Sequence, residues 1–322
     1  MMHPTSFQTV GLRLLQTNQN ASLIDAMHIL KKFISSIIDL PKTFSLTPRP
    51  RLIMTLLVKD EEQMLERNLI FHKQMGVDAF IITDNNSTDS TPKIIEEYRQ
   101  KGWIVDVINE TATNYEQKEW IDRMIWRAKT KFKADWIINA DADEFWYSPT
   151  GNLKDELKAT RANVLRVEMR SIYPEEGKPF WEWAQTVKPI ADFQKYDLSQ
   201  YSIFERQNPK VIHRAAGYLQ ISMGNHKVKM FPQKTADSNI FVYHYNIREK
   251  AHFMQKMING GKQLEQHKGK HGGRHWRYFY KLYKLGRLEA EYNRVIGLNS
   301  YNELRNAGFI KECPSLEKLQ QG

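Results

Sequence analysis

Apolar residues Leu23, Met27, Leu30, Ile34, Ile37 and Ile38 recur three and four positions apart until Pro41, which predicts one amphipathic helix. Its polar face carries Lys31 and Lys32, so the helix either packs on the domain behind it or lies on a membrane surface. PKTFSLTPRP (41–50) has three prolines in ten residues and reads as a linker, with a domain beginning near Arg51. From there, short apolar runs alternate with helical spacing. RLIMTLLV (51–58), AFIIT (79–83), WIVDVI (103–108) and DWIINA (135–140) have the length and continuity of strands buried on both faces. A helix opening on Asp60, Glu61 and Glu62 runs to about Gly76, a second begins at Thr91-Pro92 after the loop DNNSTDST, and a third covers about 115–133. Such alternation predicts an α/β fold in which helices flank a mostly parallel sheet. Beyond Gly151 the pattern weakens, with strands at 163–173 and 210–214 and a Trp-rich loop, PFWEWAQ (179–185), between them.

The last part of the chain is distinguished by charge. From Arg248 to Arg287 there are eleven Lys or Arg and two acidic residues, a basic helical segment with expected breaks at Asn259-Gly260-Gly261 and His271-Gly272-Gly273. The whole chain has a formal charge of +10, which points to an anionic partner: a nucleotide, a phosphorylated glycan, nucleic acid or an anionic membrane. Its 322 residues and 41% hydrophobic content exclude a disordered tail and a small disulfide scaffold. The single cysteine, Cys313, excludes an internal disulfide and a multi-cysteine metal site, so a reducing, cytoplasmic setting is expected. No window approaches 18 consecutive apolar residues and no secretion signal is evident.

The sharpest chemical feature is Asp141-Ala142-Asp143-Glu144-Phe145, directly after DWIINA. Ligands of a parallel sheet bind outside the carboxyl ends of its strands, where this strand delivers its acids. On an extended chain Asp141 and Asp143 leave in the same direction and can share one hard cation. The same residues also suit a solvated turn. Asp84, at the head of DNNSTD, reaches the same edge and is read as either a nucleoside contact or a turn and cap residue.

VKDEEQMLERNLIFHKQMGVDAFIITDNNSTDST resembles the opening of GT-A glycosyltransferases of the family 2 type. NADADEF matches their metal-binding acidic motif, and VIHRAAGYLQISMGNHKV with VYHYNIREKAHFMQKMINGG resembles the C-terminal part of a bacterial branch. The likeness covers about residues 51–265, and Asp60 stands where that family more often has Asn. It implies three parts: an extension over 1–48, a GT-A domain over 49–247 with a donor half (49–150) and an acceptor half (151–247), and a basic helical segment over 248–322.

It also implies a nucleotide-sugar-dependent, inverting transferase using Mn2+ or Mg2+. Asp84 would contact the nucleoside, Asp141 the ribose or the metal, Asp143 the metal, and His244 would be a third metal or diphosphate ligand. A lone histidine at the end of NIFVYHY is otherwise a core residue, and His226 competes with it. Arg248 suits phosphate oxygens. For the base that deprotonates an acceptor hydroxyl, Glu205 is the first candidate, then Asp192, then Glu168. Trp181, Trp183 and Tyr173 could stack on sugar rings.

The acceptor would be a glycan or a lipid-linked glycan of bacterial surface polysaccharide or lipopolysaccharide synthesis, placing the enzyme at the inner face of the cytoplasmic membrane. Two rivals use the same features. HGGRHWRYFYKLYKLGR interleaves basic and aromatic side chains as single-strand nucleic-acid binders do, although the acidic sheet edge argues against it. A metal-dependent nucleotidyltransferase or phosphoesterase could use the same aspartates.

Overall fold

The structure, a computed structural model, describes residues 23–111, 117–266 and 273–321. Twelve strands and eleven α-helices occur among them, eight of the strands in one sheet of order β3-β2-β1-β4-β8-β6-β11-β5. The four strands read from apolar runs form its first half: β1 (Leu52–Val58), β2 (Ala79–Asp84), β3 (Ile104–Asn109) and β4 (Trp136–Ala140). They pair in parallel, β1 lying between β2 and β4. Their continuous hydrophobicity has a simple cause. On β1, Leu52, Met54, Leu56 and Val58 face one apolar cluster and Ile53 faces the other, so neither side meets water.

Helices α3 (Leu65–Gln74) and α4 (Thr91–Gln100) cover the first face, and α5 (Gln117–Thr130) covers the second. In the second half, β8 (Lys210–Arg214) runs antiparallel to β4 and to β6 (Val164–Ser171). β11 (Thr235–His244) then pairs in parallel with β6 and antiparallel with β5 (Glu144–Tyr147). Within this sheet parallel pairings outnumber antiparallel ones by four to three, so it is mostly parallel, as the sequence predicts. Two small ribbons, β9 (Tyr218–Ile221) with β10 (Val228–Met230) and β7 (Gln185–Val187) with β12 (Ile310–Glu312), lie outside this sheet.

The N-terminal helix forms as expected, α1 (Leu23–Ile38), and the linker begins with one more helical turn, α2 (Leu40–Thr43). Beyond the sheet, α6 (Lys154–Ala159) joins the two halves, and α7 (Lys250–Gln266), α8 (Arg274–Lys284), α9 (Leu288–Ile296), α10 (Tyr301–Asn306) and α11 (Leu316–Gln321) make the helical C-terminal segment. One expectation fails here. Helix α7 runs unbroken through Asn259-Gly260-Gly261, because these glycines serve helix packing and not a turn. A Cβ on Gly260 would stand 2.5 Å from the Trp276 ring, and one on Gly261 2.2 Å from Cβ of Tyr280, so only glycine lets α8 approach so closely. The second expected break holds at Gly273, which adopts φ 66° just before α8; His271 and Gly272 lie outside the described residues.

Candidate active site

Two loops at the carboxyl edge of the sheet are laced together. Asp60 accepts from the Thr88 N–H at 2.7 Å, the Glu61 N–H donates to Thr91 Oγ1 at 2.8 Å, and the Glu62 N–H donates to Asp89 Oδ2 at 3.0 Å. Asp60 has φ 53°, a left-handed conformation that Asp and Asn adopt readily, which accounts for either residue at this position. Asp60→Asn should therefore change stability by less than about 0.5 kcal/mol, whereas Asp60→Val, β-branched and unable to accept, should cost about 2 kcal/mol by urea unfolding.

The acidic motif is a tight turn between β4 and β5, not an extended segment: the Glu144 N–H donates to the Asp141 carbonyl at 3.1 Å. Each carboxylate consequently has its own partner. Lys210, at the start of β8, donates to Asp141 Oδ2 at 3.1 Å and pairs with Glu144 Oε1 at 2.6 Å. Burial alone would lower the Lys210 pKa, but the two carboxylates outweigh it and hold it above the ordinary lysine value. Asp143 Oδ1 lies 3.7 Å from His244 Nε2, brought there because β5 and β11 pair Glu144 with His244. Burial opposes ionisation of Asp143, yet His244, Lys256, Arg248 and Lys210 together keep it below the usual carboxylate range. His244 is itself lowered, chiefly by burial.

The turn rests on α3. Asn68 Nδ2 donates to the carbonyls of Ala142 and Glu144, both at 2.9 Å. His72 Nε2 accepts the Trp146 N–H at 2.9 Å, so its proton is on Nδ1, which faces the Asn68 carbonyl at 2.8 Å. Full burial lowers the His72 pKa to about 3, keeping the ring neutral for this pairing.

Asp141, Asp143 and His244 meet in one cavity of about 830 Å³, together with Asp60, Glu61, Asn85 and Asn86. Its other wall comes from the basic segment: His252, Lys256, Asn259 and Gly260 of α7 and Trp276 of α8. Sequence reading missed these residues because their proximity depends on how α7 and α8 pack; the only local signal was the density of positive charge. Glu61 is raised to about 7 by burial, against the pull of Arg248. His252 is lowered to about 4, first by burial and then by Arg248 and Lys256.

Other expected residues stand elsewhere. Asp84 turns onto its own loop, accepting from Ser87 Oγ at 2.5 Å, and its neighbours Asn85 and Asn86 face the cavity in its place. Arg248 is paired with Glu61 and stands behind the cavity wall. His226 faces the Pro209 carbonyl at 3.2 Å and does not line the cavity. Asp192 accepts from the N–H groups of Gln194 and Lys195, at 3.1 and 3.2 Å, which makes it a turn cap; Glu205 is exposed, and neither lines a cavity. Trp183 and Tyr173 are core residues, and Trp181 lies under the Arg67 guanidinium, 3.7 Å from its ring centre. Glu168 does line a cavity, a second one of about 970 Å³ on the acceptor half, bounded by β6, β11 and the β7–β12 ribbon.

Residues 54–281, well over half of the chain, match glycosyltransferase family 92. The chain belongs to glycosyltransferase family 92. The resemblance was to the family 2 type of glycosyltransferase; the family that matches is 92. A family 92 protein of Ricinus communis is 27% identical over 146 residues, covering 39% of this chain and 23% of that protein, so the match spans under a quarter of the relative's length.

Staphylococcus aureus TarS 1–349, also solved with UDP, is 13% identical over 79% of this chain and 74% of its own, with a TM-score of 0.39. The mannosyltransferase PcManGT of Pyrobaculum calidifontis, solved with GDP-Man and Mn2+, is 12% identical over 87% of this chain and 84% of its own, with a TM-score of 0.40. Likeness at this level says nothing of what this family 92 chain binds.

The donor set of the cavity fits a hard divalent cation. Two carboxylates and an imidazole converge, and His244 Nδ1 is buried with no hydrogen-bond partner, as is Asn246 Oδ1 at the same wall. Among the described residues no three His, Cys, Asp or Glu side chains are arranged as a ready-made cage, and Asp141 is engaged by Lys210.

Proposed function

We propose that this family 92 enzyme moves a sugar from a nucleoside diphosphate donor, held in the 830 Å³ cavity, to a hydroxyl of a glycan or lipid-linked acceptor. The observation that carries the reading is the convergence of Asp141, Asp143 and His244, whose Nε2 lies 3.7 Å from Asp143, on a cavity whose opposite wall is cationic and aromatic. Asp60, Glu61, Asp141 and Asp143 line the cavity together with Lys256. A diphosphate brought beside Asp141 and Asp143 would meet like charge, which a divalent ion between them would offset.

Asp143, His244 and Asp141 would hold Mn2+ or Mg2+, which when bound supplies charge stabilisation for the departing diphosphate. Lys210 binds Asp141 and fixes the turn through Glu144. Lys256 offers an ammonium to donor oxygens, Asn85 and Asn86 offer amides to the nucleoside, and the indole of Trp276 closes the wall. For deprotonating the acceptor we place Glu168 ahead of Glu205 and Asp192, because it alone faces a cavity. It is paired with Arg170 at 2.8 Å. Inversion at the anomeric carbon, and a role in surface polysaccharide or lipopolysaccharide synthesis, complete the reading.

A thermal-shift screen of UDP-, GDP-, CMP- and dTDP-sugars, with and without Mn2+, tests it. One nucleotide class should raise the unfolding temperature only when Mn2+ is present, and that donor should be consumed in the presence of a glycan acceptor. Stabilisation by none of them, or equal stabilisation by single-stranded nucleic acid, would refute the reading.

A further inference from the structure

Helix α1 has two apolar faces, and only one is used. Toward the domain, Lys32 pairs with Asp122 of α5 at 2.5 Å, Phe33 packs on Phe231 with ring centres 5.4 Å apart, and Ser36 is buried. On the other side, Met27, Leu30, Ile34, Ile37 and Ile38 stand exposed in a stripe of helical spacing, continued by Leu40; Ile38 is 72% exposed. Elsewhere among the described residues, exposed large apolar side chains are scattered. A contiguous stripe of aliphatics marks an interaction surface.

What it meets is indicated by the charges beside it. From Leu40 the chain turns directly into a cavity of about 560 Å³ lined by Lys42, Lys129, Lys133 and Arg214 with Asp39 and Asp135. Both carboxylates are engaged: Asp39 pairs with Lys129 at 2.6 Å, and Asp135 accepts the Arg51 N–H at 2.8 Å. Lys42 and Lys133 have no carboxylate partner among the described residues. Lys31, next to Leu30 on α1, and Arg49, in the segment after α2, are also exposed cations. A second copy laid on this face would set one basic rim against another, whereas an anionic sheet of lipid complements it.

We propose that this face docks on an anionic phospholipid bilayer. Helix α1 lies in the plane of the interface with its stripe at the acyl boundary, and the cavity around Lys42 and Lys133 receives a lipid phosphate. The inference stands apart from the transferase chemistry, since no residue of the 830 Å³ cavity takes part.

The full chain should cosediment with vesicles of phosphatidylcholine mixed with phosphatidylglycerol, far less with phosphatidylcholine alone, and less at high salt. Leu30→Asp with Ile34→Asp, and separately Lys42→Glu with Lys133→Glu, should each lower the partition coefficient by more than about tenfold. All four positions are exposed or at a cavity rim, so unfolding temperature and nucleotide binding should stay unchanged, which separates this result from any failure at the donor cavity. Binding that survives both pairs of substitutions, no binding to either vesicle, or a dimer of the natural chain that Leu30→Asp with Ile34→Asp dissolves, would overturn the proposal.

Discussion

Asp143→Asn should lower kcat by about three orders of magnitude while leaving the fold intact. The side chain keeps its shape, and the Asp143 carbonyl still accepts the Tyr245 N–H at 2.9 Å, so the link between the turn and the end of β11 survives. What disappears is one negative charge beside His244, in a place where burial magnifies it. Loss of charge stabilisation at a leaving diphosphate is worth several kcal/mol, and about 4 kcal/mol is a thousandfold in rate. Asp141→Asn should be milder, because Asp141 is more exposed, 38% against 12% for Asp143, and already shares its charge with Lys210. Steady-state kinetics on the two variants, with unfolding temperatures as controls, would read the difference. Equal losses in both would show that the turn, and not the Asp143 charge, is what matters.

His72→Ala should destabilise the protein by about 3 to 5 kcal/mol and take activity with it. The substitution leaves the Trp146 N–H and Asn68 without their partner and opens a hole against Phe71 and Phe145, whose rings lie 5.4 and 6.1 Å from that of His72. The acidic turn loses its support from below, although His72 never touches a substrate.

A pH dependence follows from the same contact. The folded pKa near 3 lies under an unfolded value of about 6.5, so the unfolded chain binds the extra proton between them. The stabilisation is complete above about pH 6.5 and is lost as pH falls toward 3. His213, lowered to about 4 by burial behind β4, adds a second proton over the upper part of that window. Urea unfolding should therefore show a fall in stability with pH near pH 5 that is shallower by about 1.4 kcal/mol per pH unit in His72→Gln than in the natural chain, the contribution of one proton. An unchanged slope in that variant would assign acid sensitivity to other groups.

How much of this could be read from the chain depended on whether the cause was local. Strands β1, β2 and β4 announced themselves because each is buried on both faces and so has to be apolar throughout. The edge strand β5, EFWY, starts inside the acidic motif itself and is only four residues long, and β11 begins with the half-polar TADSN. Ribbons of three or four residues are too short to display a period.

At the site, Asp141, Asp143 and His244 were legible through motif and resemblance. Lys210 was not, since it meets Asp141 across 69 positions of sequence. His72 was visible only as a late histidine in a helix, and its partners lie 74 positions away. Tryptophans 181 and 183 misled in the opposite sense: a cluster that looked free for sugar stacking packs into the core and under Arg67. For the N-terminal helix, read as packed or membrane-facing, α1 packs one face on the domain and leaves an apolar stripe exposed on the other.

The account stands on a divalent cation held by Asp143 and His244 in the 830 Å³ cavity. Titration of Mn2+ into the full chain with a saturating nucleoside diphosphate, followed by electron paramagnetic resonance, tests that claim without any knowledge of the acceptor. One ion should bind per chain, with affinity lowered at least about tenfold in His244→Ala and bound signal abolished in Asp143→Asn. Undiminished binding in both variants would place the metal elsewhere and contradict the account.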